Sequence, residues 1–323
     1  MLTALFFGAL LLFSPQKAPA QEKIEPEEIS QEAFQKSSQE TSQESAVPWH
    51  SLDIPGAEMD EVEPYRKRYL SPHEIKWLSG ILDEAEGYRH YIRKRIQEEK
   101  LPSCLEYLPI IESSYKPTAK PPSGKSVGMW QFMENSVHPY MTLNEWIDER
   151  RDPWKSTDAA LSKLKDNYRM FDDWLLAIAA YNCGAGAVKR ALAKAHEKTY
   201  WGLCREKLIP DHAIKYVPNF LAVSDVIENK EYYKVELPDI QEIKDGFNPY
   251  CDFDYITVSG SVSLSELASE LCIDEEILER LNLALRKKVT PPHQKYKIRL
   301  PCGMKQSAFY ALNTIIRKKN ADN

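Results

Sequence analysis

The chain has 323 residues, enough for two domains or for one large domain with a small appendage. Its net charge of −6 and pI near 5.8 argue against a nucleic-acid binder, which would need a basic face. Apolar content of 43% suffices for a buried core, and 7 Trp and 17 Tyr supply flat rings of the kind that stack on sugars.

Leu2 to Phe13 form an apolar run too short to span a bilayer as a helix, and Ala18-Pro19-Ala20 fits a small-x-small cleavage site. Residues 1–20 therefore read as a signal peptide, without Lys or Arg before the apolar run and without a lipid-bearing Cys near residue 20. Export to the periplasm or cell envelope follows, with no integral membrane span after signal removal. Residues 21–47 repeat Ser-Gln-Glu at Ser30, Ser38 and Ser42 and bury too little apolar area to offset ordering entropy, so they read as a disordered spacer.

Ser71-Pro72 opens the first clear helix as N-cap and first position, with Ile75, Leu78, Ile81 and Leu82 as its apolar stripe. A second amphipathic segment runs through Tyr88, Ile92 and Ile96 to Lys100. Leu105, Leu108 and Ile111 then recur at helical spacing in a short helix ending at Tyr115, with Pro109 forcing a bend or a tight start. Glu112 falls in its last turn. An apolar setting disfavours a charged carboxylate and raises its pKa, and a Glu neutral near pH 7 can donate a proton to a leaving group. The same residue in the same place also suits a simple helix-end cap or ion pair.

Lys116 to Lys125 is a Pro-rich loop, after which Ser126 caps an expected helix through Asn135. On that helix Val127, Trp130, Gln131 and Glu134 share one face, and Met129, Phe132 and Met133 the other. Asp148 to Pro153 reads as a salt-bridged turn before a helix starting near Ser156 or Thr157, with Ala160, Leu161, Leu164, Tyr168 and Phe171 inward. Trp174 to Tyr181 is apolar all round and predicts a central buried helix, ended by Asn182-Cys183-Gly184 with Gly184 in the left-handed cap position. Further helices run from Gly186 to about Lys194 and from about Ala213 to Asn229.

Past a linker at 239–251 the pattern changes to strand (Tyr255 to Ser259), helix (Leu264 to Leu271), helix (Asp274 to Leu281) and strand (Tyr296 to Leu300). A terminal helix follows, with Phe309, Leu312 and Ile316 on one face. The six cysteines, Cys104, Cys183, Cys204, Cys251, Cys272 and Cys302, form no C-x-x-C pair, so no metal cluster is expected. Export permits disulfides, and Cys183 and Cys272 also suit buried free thiols.

Four stretches together resemble the family 1 lytic transglycosylases, most closely the membrane-bound lytic murein transglycosylase D group. They are Ile111-Glu112-Ser113-Ser114-Tyr115-Lys116-Pro117, Ser126-Val127-Gly128-Met129-Trp130-Gln131-Phe132-Met133, Asp148 to Pro153, and Ala179-Ala180-Tyr181-Asn182-Cys183-Gly184-Ala185-Gly186. Tyr216-Val217-Pro218 matches a fifth. The resemblance implies a mainly α chain: a lysozyme-like helical transglycosylase domain over residues 48–238 that cleaves peptidoglycan glycan strands. It implies Glu112 as the single catalytic acid/base. Ser113, Ser126, Gly128 and Gln131 match the sugar cleft, Tyr181 matches the tyrosine that orients the Glu, and Asn182 holds that turn. His212 stands where the family often has a substrate-contacting Glu, and Gly184-Ala185-Gly186 replaces Gly-Glu-Gly. No cofactor or metal is implied.

Residues 252–302 resemble a small βααβ LysM-like domain, a binder of N-acetylglucosamine-containing glycans, with a C-terminal helix over 303–323. Val258, Leu264, Leu267, Ala268, Leu278, Asn282, Gln294, Ile298 and Pro301 carry that pattern. Cys251 and Cys302 flank strands that neighbour each other in LysM folds, which implies a disulfide between them. The expected activity is non-hydrolytic cleavage to 1,6-anhydro-N-acetylmuramic acid ends. The alternatives are a hydrolytic muramidase on the same scaffold and a degenerate peptidoglycan-binding scaffold without turnover.

Overall fold

A computed structural model describes residues 47–241, 248 and 250–321. The signal-peptide and spacer readings lie outside these residues, Val47 excepted, and the linker at 239–251 falls within them only in part. Helix α1 (Glu63–Tyr69) leads into α2 (Pro72–Glu84). The latter starts as Ser71-Pro72 predicts: the Ser71 hydroxyl accepts from the Glu74 amide at 3.4 Å, and Pro72, which has no N–H to leave unpaired, opens the first turn. Helix α3 (Glu86–Glu99) follows and buries Ile92 and Ile96. A 3-10 turn (Ser103–Tyr107) runs straight into α4 (Leu108–Ser113), and Pro109 marks that tight start rather than a bend.

The expected helix from Ser126 to Asn135 is a hairpin. Strand β1 (Ser126–Val127) pairs antiparallel with β2 (Phe132–Met133), followed by a 3-10 turn at Glu134–Ser136. Two residues break the helix: Gly128 at φ 91° and Gln131 at φ 49° turn the chain back. The two-faced division fails with it, because Met129, Trp130 and Phe132 are all buried together.

Helix α5 (Pro153–Phe171) starts earlier than the Ser156 or Thr157 of the sequence reading. Asp152 accepts from the amides of Trp154 and Lys155, both at 3.0 Å, and Pro153 takes the first position. Helix α6 (Trp174–Cys183), capped by Asp173, is the expected central helix, with Leu175 through Tyr181 all buried. It packs on α5, on α7 (Ala185–Lys194), on α8 (Tyr200–Arg205) and on α9 (Asp211–Glu228). Gly184, at φ 90°, lets α7 begin immediately after α6. Asp225 of α9 is fully buried and ties the N-terminal segment to this core through Trp49 Nε1 at 2.7 Å and Arg66 Nε at 2.6 Å.

A second, smaller core forms on β3 (Phe253–Ser259), α10 (Leu264–Leu271), α11 (Glu275–Leu281) and β4 (Lys295–Pro301). The strands are antiparallel with Ile256 opposite Ile298. Helix α12 (Lys305–Ala321) packs on α10 through Ala308, Ala311, Leu312 and Ile315. Of the face formed by Phe309, Leu312 and Ile316, only Leu312 is buried, while Phe309 and Ile316 are 54% and 52% exposed. All six cysteines are free, which overturns the Cys251–Cys302 pairing. Cys251 belongs to a turn close to Lys94 and Glu98 of α3, whereas Cys302 is exposed in the turn before Gly303. Cys272 is exposed rather than buried, because it is the left-handed C-cap of α10 at φ 53°.

The βααβ unit is bonded to the helical core. The Asp148 amide donates to Ala284 O at 2.8 Å and the Arg286 amide to Trp146 O at 3.0 Å, on either side of an Ile147–Leu285 bridge. Arg299 of β4 pairs with Asp152 at 3.0 Å and lies 4.2 Å from the centroid of the Trp154 ring, with both charged groups buried.

Candidate active site

Glu112 sits at the end of α4 and is half-buried. Its Oε1 accepts from the Tyr216 hydroxyl at 2.5 Å. Burial pushes its pKa up from the ordinary carboxylate range to about 7, against the opposing pull of the Tyr216 hydrogen bond and the Lys163 charge. Among the described residues no second carboxylate contributes to its field. The sequence reading assigns the orienting hydroxyl to Tyr181. The structure gives that role to Tyr216, on α9, because the Tyr181 hydroxyl is spent on Trp130 O at 2.8 Å. Tyr216 lies in the fifth matching stretch, so the signal was present but attached to the wrong ring.

Lys163 of α5 is a further group that sequence reasoning missed. Its Nζ lies 4.5 Å from the Tyr181 ring centroid and 5.4 Å from that of Phe132, and reaches Tyr181 O at 3.4 Å. Burial lowers its pKa, while the nearby Glu112 raises it. A lysine at helical spacing on α5 carries no sequence mark that separates it from a surface lysine.

The predicted residues of the hairpin are bonded to one another and, through Met129, to Ser113 beside Glu112. The Ser113 hydroxyl donates to Met129 O at 2.7 Å and so fastens α4 to the hairpin. The Ser126 hydroxyl donates to Gln131 Oε1 at 2.7 Å, and Gln131 Nε2 donates to Gly128 O at 2.7 Å. Gly128 is required twice over: its φ is 91°, and a Cβ there would lie 1.8 Å from Arg150 O. Arg150 is itself fixed by a buried two-point pair with Asp148, 2.8 Å on each arm. Gly128→Ala is therefore expected to lower unfolding free energy by roughly 2–5 kcal/mol, the sum of left-handed strain and overpacking. Urea denaturation measures it, and a loss below about 1 kcal/mol would mean the turn relaxes freely.

Asn182 does not hold its turn by a hydrogen bond; its Oδ1 is buried without a partner. A buried acceptor left unpaired costs about 1–3 kcal/mol. His212 is exposed in the first turn of α9, four residues before Tyr216 and hence one turn away on the same helix side. Glu112 lines neither of two large hollows, one of about 560 Å³ against Trp154 and Phe253 and one of about 590 Å³ beside β1.

The arrangement can therefore hold a proton on one carboxyl near neutral pH, release it to an adjacent oxygen and take a proton back. Known proteins match the same region. The Transglycosylase SLT domain family matches residues 90–203, and the LysM-like domain family of lytic transglycosylase MltD matches residues 252–318. The membrane-bound lytic murein transglycosylase D of Escherichia coli (strain K12) is 33% identical over 191 residues, covering 57% of this chain and 41% of that protein. A putative tributyltin chloride resistance protein of Alteromonas sp. (strain M-1) is 34% identical over 128 residues, covering 39% of this chain and 60% of that protein. The chain thus spans less than half the length of the Escherichia coli relative.

Proposed function

We propose that this chain, in which an SLT domain is followed by a MltD-type LysM-like domain, is a peptidoglycan lytic transglycosylase of the cell envelope. Glu112 carries the reading: one carboxyl, held by a tyrosine hydroxyl, with its pKa near 7 and no acidic neighbour among the described residues acting on it. Ordinary glycosidases need two carboxylates, one as acid and the other as base or nucleophile. A single one suffices where the substrate supplies its own nucleophile.

Protonated Glu112 gives its proton to the oxygen between N-acetylmuramic acid and N-acetylglucosamine, and the C1–O bond breaks. The resulting Glu112 carboxylate then takes the proton of the muramoyl 6-hydroxyl as that oxygen bonds to C1. The 1,6-anhydro ring closes, Glu112 is protonated again, and no water is consumed. Holding the 6-hydroxyl in line lowers the barrier by roughly 7–11 kcal/mol in favourable cases. Ser113, Ser126, Gly128 and Gln131 shape the wall that meets the sugar. Tyr181 forms the floor, and His212 contacts the strand from one turn before Tyr216.

Because the acid form starts the reaction, kcat/KM is expected to fall as pH rises through about 7. Tyr216→Phe removes the hydrogen bond that favours the charged carboxylate, so it moves this limb to higher pH. Turnover at the optimum falls about 10–100-fold as Glu112 loses its anchor. pH–rate profiles of the two proteins measure both effects, and an unmoved limb would remove Tyr216 from the mechanism. Incubation of isolated sacculi with the purified chain tests the activity itself. Release of soluble muropeptides is expected; sacculus binding without release would instead support the degenerate-scaffold reading.

A further inference from the structure

The hollow of about 590 Å³ beside β1 is walled by the 118–127 loop, the 143–151 segment and Arg286 of the α11–β4 connection. Lys120, Arg151 and Arg286 reach it from those three segments, and none has an ion-pair partner among the described residues. Arg150 is also present but is neutralised by Asp148 at 2.8 Å. Glu134, exposed on the rim, is the remaining carboxylate, so the hollow carries three cations against one anion. A local positive surplus in a chain of net charge −6 attracts anions.

The hollow is also built. Arg286 is delivered by the backbone bonds that join the βααβ unit to the helical core at Trp146 and Asp148, and its Nη1 donates to Asn144 O at 3.0 Å. Val127 of β1 lines it, and the same hairpin is fastened through Met129 to Ser113, next to Glu112. The hollow and the Glu112 end of α4 are thus joined to the same hairpin.

We propose that this hollow is a composite site for a peptide bearing several carboxylates, formed jointly by the helical core and the LysM-like unit. On the reading above, which this proposal relies on for the polymer, the ligand is the stem peptide hanging from the lactyl group of the glycan strand. The LysM-like unit thereby selects peptide-bearing strands through Arg286.

The test uses full-length Glu112→Gln protein, so that binding is read without cleavage. Calorimetric titrations compare four probes: peptide-bearing glycan strands, the same strands stripped by an amidase, the released peptide alone, and inorganic phosphate. Peptide-bearing strands are expected to bind about tenfold tighter than stripped ones, as two or three partly exposed ion pairs would give. Adding Lys120→Gln and Arg286→Gln should erase that ratio and the binding of free peptide, while both strands still bind. Equal affinity for the two strands, or a ratio unchanged by the substitutions, would overturn the proposal, as would phosphate binding as tightly as peptide. Binding of free peptide with no binding of either strand would keep the hollow and remove the peptidoglycan reading instead.

Discussion

On the mechanism proposed above, in which one residue serves both half-reactions, Glu112→Gln is expected to lose turnover on sacculi by about 10⁴-fold, at the upper end for a general acid. The fold should persist, since the amide is nearly isosteric and can still accept from Tyr216. Stability provides a second readout with a definite sign. Burial raises the Glu112 pKa from the ordinary range near 4.5 to about 7. Between those values the unfolded chain has released the proton while the native protein retains it. Stability contributed at this position therefore falls as pH rises through that window, and the loss is complete above about 7. Glu112→Gln removes the ionisation, so its melting temperature should exceed that of the parent at pH 8 and match it more closely at pH 5. Equal melting shifts at both pH values would mean Glu112 is not buried in the way the structure has it.

Arg299→Met is expected to cost roughly 3–5 kcal/mol of unfolding free energy, because it leaves the buried Asp152 carboxylate without its cation. Asp152 is 3% exposed and Arg299 5%, so water replaces neither partner. Arg299 also donates to Leu281 O at 2.7 Å and covers the Trp154 ring, which binds β4 to the start of α5. The double variant with Asp152→Asn should recover part of the loss, since the amide keeps an oxygen for the Trp154 and Lys155 amides without a buried charge. A urea-denaturation cycle reads the coupling. Simple additivity of the two changes would mean the ion pair does not join the two units.

The helical elements were legible in the sequence because their caps and stripes are local. Ser71-Pro72, the all-round apolar run before Gly184 and the alternation of β3 and β4 each follow from neighbours within one or two turns. The hairpin at Ser126–Met133 was not legible, since its helix-like spacing is overruled by Gly128 wedged against Arg150 O, a contact between distant residues. The raised pKa of Glu112 was legible from its apolar company. Its partner was not, because Tyr181 and Tyr216 are both buried aromatic hydroxyls, and only the geometry assigns one to Trp130 O and the other to the carboxylate. The buried face of α12, Ala308, Ala311, Leu312 and Ile315, depends on its packing against α10 and was not legible from the helix alone.

The most direct measurement of single-carboxylate chemistry is digestion of sacculi in water enriched in heavy oxygen, followed by mass spectrometry of the released muropeptides. A reaction closed by the sugar's own 6-hydroxyl gives anhydro ends one water lighter than reducing ends and free of label. Labelled reducing ends would show that water attacks C1, and the account of Glu112 acting alone would be contradicted.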